Sequence, residues 1–282
     1  VKTALKLGWL LVLLVPIQVF AAETPWQRIV VIGASASGGF VLSEPFGGTN
    51  TDKCRLSYYL DSAITPPHGP IKNLATSAFF LSPEAIAAQQ VEAATNLHPT
   101  LVIAVDFLFW FCYGQGQTDA DRAQRFEHGL KLLERIPGPL VVGDIPDASR
   151  ATNSGIISIA QVPSEKARAA ANLRLRGWAT SRPGVTLVSL DQFMQAVVSN
   201  AAITKKHVAV PAGKTRSLLQ NDQLHPNPRG TALLTLGILD ELVTTQPGFS
   251  AKEVRWNLDE VFRKGFVAAV LSRLPPAGDT SN

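Results

Sequence analysis

Apolar β-formers gather in short solid runs along this chain: "RIVVI" at 28–32, "LVIAV" at 101–105, "LVVGD" at 140–144 and "TLVSL" at 186–190. A weaker run occupies 71–74. Between them the apolar positions fall at helical spacing. Leu56, Tyr59, Leu60 and Ala63 share one face of a helix expected over 52–63. Ser82-Pro83-Glu84 starts a second helix that runs to about Leu97, with Ser as cap, Pro in the first turn and Glu against the dipole. Thr118-x-x-Asp121 starts a third helix, ending near "RIPGP", and Ser164 caps a fourth through Ala179. Asp191 opens a short helix, 207–219 suggests a hairpin around "PAGK", and 228–243 reads as helix. Ser250-x-x-Glu253 is a capping box for a last helix to about Leu271.

Runs without polar alternation suit strands covered on both faces. Strands of that kind alternating with capped helices predict an α/β fold: three layers, α/β/α, around a five-stranded, mainly parallel sheet. In such a sheet a ligand sits beyond the carboxyl ends of the strands. The segments that follow 28–32, 101–105 and 140–144 should therefore meet at one edge.

The first residues change the picture of where the chain works. Lys2 and Lys6 precede an apolar run from Leu7 to Phe20, and Val19-Phe20-Ala21 fits a small-x-small cleavage site. The run is shorter than the roughly 20 residues that span a bilayer. Residues 1–21 are thus expected to be a cleaved signal peptide, 22–274 a single domain and 275–282 a disordered tail. The expected location is periplasmic or secreted.

The 282-residue chain carries 26 basic and 22 acidic side chains. Without the leader's two lysines the balance is 24 to 22, a net +2. The basic residues are scattered, so nucleic acid is not expected as a partner. Cys54 and Cys112 alone exclude a disulfide framework and a cysteine-based zinc site; one bridge or two buried thiols both remain open.

Two motifs carry candidate chemistry. "GASASG" at 33–38 follows the first strand. It lacks the middle glycine of a dinucleotide fingerprint and the Lys-Ser/Thr of a P-loop, which argues against phosphate binding. Its serines suggest a nucleophile instead: Ser35 in the turn, with Ser37 past it as the less favoured choice. "DQLHP" at 222–226 offers Asp222 and His225 three residues apart on one loop. A serine hydrolase needs a base for the serine proton and a carboxylate to hold that base in the right tautomer.

With these residues the chain resembles the SGNH/GDSL hydrolase family across about 28–240. "GAS" at 33–35 is similar to its "GDS" block, "NLATSA" at 73–78 to a block that usually reads N-x-x-x-S-G, and "DQLHP" to its terminal D-x-x-H-P block. The resemblance implies the SGNH-hydrolase/flavodoxin-like fold. It implies Ser35 as nucleophile, His225 as general base and Asp222 as its orienting acid, with no cofactor or metal. It also implies oxyanion donors from the backbone N–H groups of Ser35 and Ala78 and from an asparagine after the third strand. There the chain departs: where the family reads G-x-N-D it has "VDFLFWFCYG", with Leu108 about where the asparagine belongs.

Asp106, Phe107 and Trp110 in that segment, and Asp144 after the fourth strand, are candidate substrate contacts. Asp144 and Asp147 are also explained by turn chemistry, with a metal shared with Asp106 as the minor reading. His68, His98, His128 and His207 show no matching constellation and read as surface residues. The expected activity is an exported serine esterase or acyl hydrolase acting on a small-molecule, glycan or lipid ester. The alternative is a weak or inactive protein of the same fold that binds a glycan or acyl ligand. A Rossmann-type oxidoreductase is disfavoured by the glycine pattern and by export.

Overall fold

The computed structural model describes residues 24–114 and 118–273. The expected leader (1–21) and tail (275–282) lie outside the described residues. β1 (Ile29–Val31) leads into one helical turn, α1 (Ser35–Gly38), then α2 (Thr49–Asp52) and α3 (Leu56–Ala63). β2 (Lys72–Asn73) is followed by a 3₁₀ turn over Ser77–Leu81, by α4 (Pro83–Asn96) and by β3 (Leu101–Ala104). Next come α5 (Phe109–Cys112), α6 (Asp119–Leu133), β4 (Leu140–Gly143), α7 (Glu165–Thr180) and β5 (Val185–Val188). α8 (Leu190–Ser199) precedes a small hairpin of β6 (Ile203–Thr204) and β7 (Ala209–Val210), after which come α9 (Pro228–Thr245) and α10 (Leu258–Leu271).

The five main strands form one parallel sheet in the order β2-β1-β3-β4-β5. This is the doubly wound order in which the chain reverses direction between β1 and β3. Strand residues alternate between the two faces. Val30, Val102, Ala104, Leu140 and Val142 pack with side chains of α4, α5, α6 and α7. Ile29, Val31, Leu101, Ile103 and Val141 pack with those of α3, α9 and α10. Both faces are covered, which is why β1, β3 and β4 are apolar at every position. The fold is therefore a three-layer α/β/α sandwich, as the alternation of strands and helices predicts.

Several local expectations shift. The helix predicted over 52–63 is two helices, because a turn at Lys53–Arg55 leaves Arg55 extended at ψ 124° before α3 begins. Ser82 stands at the head of α4 but makes no side-chain cap; Pro83 in the first turn is as expected. Thr118 and Asp121 form a capping box at the predicted helix start, and Ser164 accepts Ala167 N–H. The Ser250–Glu253 box closes only a 3₁₀ turn, Ala251–Glu253. The chain then runs extended, bridging Val254 to Ile64, and Asn257 caps α10. The hairpin lies at 203–210 rather than around "PAGK". No helix among the described residues is long and apolar enough to cross a membrane.

Candidate active site

Two residues beyond β1 stands Gly33, whose φ is +136° and whose missing side chain makes room for a carboxylate. A Cβ there would lie 2.2 Å from Asp106 Oδ1. The Asp106 carboxyl, buried beneath the turn, accepts the N–H groups of Ala34 (3.1 Å), Ala36 (2.8 Å) and Ser37 (3.1 Å) and the Ser37 hydroxyl (2.6 Å). Burial pushes this carboxyl above its ordinary range, against the opposing pull of those four donors. The Gln90 amide, from α4, accepts Gly33 N–H at 2.7 Å and donates to Gly33 C=O at 3.0 Å. Asn73, at the end of β2, donates to Ser37 C=O and accepts Ala75 N–H, each at 3.0 Å. Three side chains, from β2, from α4 and from the turn after β3, thus hold one turn. Ser35 stands on it, its N–H making no hydrogen bond among the described residues.

The loop after the hairpin folds back to meet it. Leu219 bridges Pro226, Gln220 N–H bonds His225 C=O, and the Gln220 side chain donates to Phe40 C=O. Gln223 turns the corner at φ 62°. Within this loop Asp222 Oδ1 accepts the N–H groups of Leu224 (3.0 Å) and His225 (2.9 Å), while Oδ2 lies 2.8 Å from His225 Nδ1. A carboxylate can only accept, so Nδ1 carries the proton and Nε2 is the acceptor. His225 Nε2 is 2.8 Å from Ser35 Oγ, within reach for proton transfer. The imidazole stacks on Phe40 with ring centroids 4.2 Å apart. Burial pushes the Asp222 carboxyl up, but the hydrogen bond and charge of His225, with the two N–H groups, hold it below the usual range. It stays ionised beside its histidine.

A cavity of about 70 Å³ opens beside Ser35 and His225. Its walls come from the segments after β1, β3, β4 and β5 and from the 219–226 loop: Val105, Phe109, Pro146, Phe193, Met194 and Leu224 are representative. Asp106 and Asp144 also line it.

Ser35, His225 and Asp222 come together as the sequence predicts; the other expected contacts divide. Phe107 is fully buried against Phe79 and Phe111 and belongs to the core, not to the cavity. Trp110 packs against Phe80 and lines a separate surface depression. Only Phe109 of the "FLFWFC" segment reaches the cavity, because α5 turns its neighbours inward. Ala78 N–H is taken by Thr76 Oγ1 at 3.2 Å, so the donor expected there is engaged. Leu108 is fully buried; its Cδ2 lies where Gly129 of α6 leaves room, which suits an apolar side chain and not an asparagine. Ser37 is committed to Asp106. Asp147 is exposed and accepts Ser149 N–H, which is turn chemistry. Cys54 and Cys112 are both free and buried.

His207 is not a plain surface residue: its Nδ1 lies 2.7 Å from buried Asp240, and its ring stacks on Trp256. No serine, threonine or cysteine is bonded to it among the described residues. Sequence reasoning misses Gln90 and Asn73 as supports of the turn that carries Ser35. Nothing in a helical Gln marks such a role before the elements are assembled, whereas Asn73 is the first residue of the "NLATSA" block, which was the available signal.

A scan of protein-family models finds none that matches this chain, and a search of curated proteins finds no match either. The functional reading therefore rests on the site.

Proposed function

We propose that this protein is a serine hydrolase of ester bonds, a divergent relative of the SGNH/GDSL hydrolases, exported through its N-terminal signal. The observation that carries the reading is the unbroken hydrogen-bonded chain Ser35–His225–Asp222, opening on an apolar cavity. His225 Nε2 takes the proton of Ser35 Oγ as that oxygen attacks the ester carbonyl. Asp222 steadies the imidazolium, and Ser35 N–H faces the developing oxyanion. Collapse expels the alcohol, which leaves with the proton from Nε2. Water, activated by the same nitrogen, then releases the acid from Ser35.

A catalytically weak acyl- or glycan-binding protein is the second reading, favoured by the oxyanion donors at Leu108 and Ala78 that are absent or engaged. Losing one such donor costs about 2.7–4 kcal/mol of transition-state stabilisation, so slow turnover is expected even with the triad intact. A fluorophosphonate probe tests the proposal directly. Labelling at Ser35, lost in Ser35→Ala and in His225→Ala along with hydrolysis of an aryl acetate, supports it. A wild-type protein inert to probe and ester would shift the case to the binding reading. Retention of residues 1–21 in exported protein, read by N-terminal sequencing, would refute the signal.

A further inference from the structure

We propose that the cavity beside Ser35 receives a linear acyl chain bearing a hydroxyl group at its far end, and that Asp144 selects for that hydroxyl. The inference rests on the esterase reading and adds the acyl group it acts on. Cavity walls come from the carboxyl ends of β1, β3, β4 and β5, which are spatial neighbours in that order. Strands lie about 4.8 Å apart, so from Ser35 after β1 to Asp144 after β4 is two steps, about 10 Å. A volume of about 70 Å³ holds roughly five to seven water-sized groups, at ~10–15 Å³ each. An unbranched acyl chain of about that many carbons spans the two steps and fills this volume.

Along the way the walls are apolar, as for Val105, Phe109, Phe193 and Met194. Two strand positions from Ser35 stands one carboxyl that the triad does not use. Asp106 is saturated by the nucleophile turn, but Asp144 is not. Its Oδ1 accepts Asp191 N–H at 2.8 Å, and Leu190 N–H also supports the carboxyl. A carboxyl has about four acceptor sites, so two backbone donors leave capacity for a ligand. Asp144 is 6% exposed, and burial raises its pKa above the ordinary range. A methyl terminus against it would leave that capacity unpaired. An ammonium would bring three donors and a full charge among apolar walls, to a carboxyl that burial shifts toward its neutral form. A hydroxyl brings a donor and no charge.

Asp144 also steadies the start of α8, and such a structural role would affect every ester alike. The ratio between two esters of equal length separates the roles. The test measures kcat/KM for aryl heptanoate and aryl ω-hydroxyheptanoate on the full chain. Fluorophosphonate labelling counts active molecules in each preparation. Wild type is expected to favour the hydroxylated ester about tenfold or more, the worth of one buried hydrogen bond. Asp144→Leu should reverse the preference, and Asp144→Asn, which keeps the shape and an acceptor, should retain part of it. A labelled wild type with a ratio near one, or a ratio unmoved in Asp144→Leu, overturns the assignment while leaving the esterase standing. Wild type that neither labels nor turns over either ester overturns the esterase reading and the acyl assignment with it.

Discussion

Replacing Asp106 should separate a residue that holds the nucleophile from one that meets substrate. Its two oxygens take three backbone N–H groups and one hydroxyl, all from the turn that carries Ser35. In Asp106→Asn, the Ser37 hydroxyl can rotate to accept from the new amide if that group occupies the Oδ1 position. The amide then faces Ala34 N–H, donor against donor. One buried donor left unpaired costs about 1–3 kcal/mol. Relief of the buried charge offsets part of the loss of charge-assisted bonds, so a net destabilisation of about 1–3 kcal/mol is expected. Asp106→Ala orphans three N–H groups, about 3–9 kcal/mol by the same rule, which approaches the 5–15 kcal/mol stability of a whole domain. That variant should be largely unfolded.

Urea unfolding, followed by the fluorescence of buried Trp26 and Trp178, measures the first quantity. The rate of Ser35 labelling per folded molecule measures the second. A shift of about 1 Å in the nucleophile costs on the order of 100-fold. The pH dependence gives an independent sign. Burial raises the folded pKa of Asp106 above the unfolded value near ~3.9, so the folded chain binds this proton more tightly. The group's contribution is full below the unfolded pKa and is lost as pH rises through the folded one. Asp106→Asn should lack that slope. An Asn variant with wild-type urea midpoint and wild-type labelling rate would refute the idea that Asp106 holds the turn.

Asp222→Asn should cut ester turnover by about 10³–10⁴, less than His225→Ala, since the carboxylate orients and stabilises the imidazole without itself reacting; kcat for an aryl acetate reads this. Because Asp222 is held below the usual carboxylate range, it stabilises the fold above its unfolded pKa. That contribution is lost as pH falls through the folded value, and the Asn variant should lose less stability on acidification. Gly33→Ala meets both a positive φ and Asp106 Oδ1 at 2.2 Å, so a drop of at least about 1 kcal/mol is expected in the same urea assay. Burial pushes the thiols of Cys54 and Cys112 up to about 12. Ellman's reagent at mild pH should therefore titrate neither in the folded protein and both after denaturation; rapid native reaction would contradict their burial.

The parallel sheet was legible in the sequence because strands covered on both faces must be apolar throughout, and 101–105 and 140–143 are. The meeting of Ser35, Asp222 and His225 was legible too, since the proposed triad needs particular functional groups and two of the three lie on one short loop. The rest depended on approach between distant segments. Asp106 looks in the sequence like a residue pointing at substrate; only the assembled sheet, with β3 beside β1, brings its carboxyl under the turn after Gly33. Phe107, Phe109 and Trp110 are chemically alike and nearly adjacent. The direction in which α5 leaves β3 decides that Phe109 alone lines the cavity. The capping box at Ser250 formed as its residues dictate, yet it opened no helix, because Val254 pairs across to Ile64. A local motif specifies local hydrogen bonds, and these are set by residues three or four apart. Which surface a side chain meets is set by packing among elements far apart in the chain, where the burial of whole faces outweighs any single local preference.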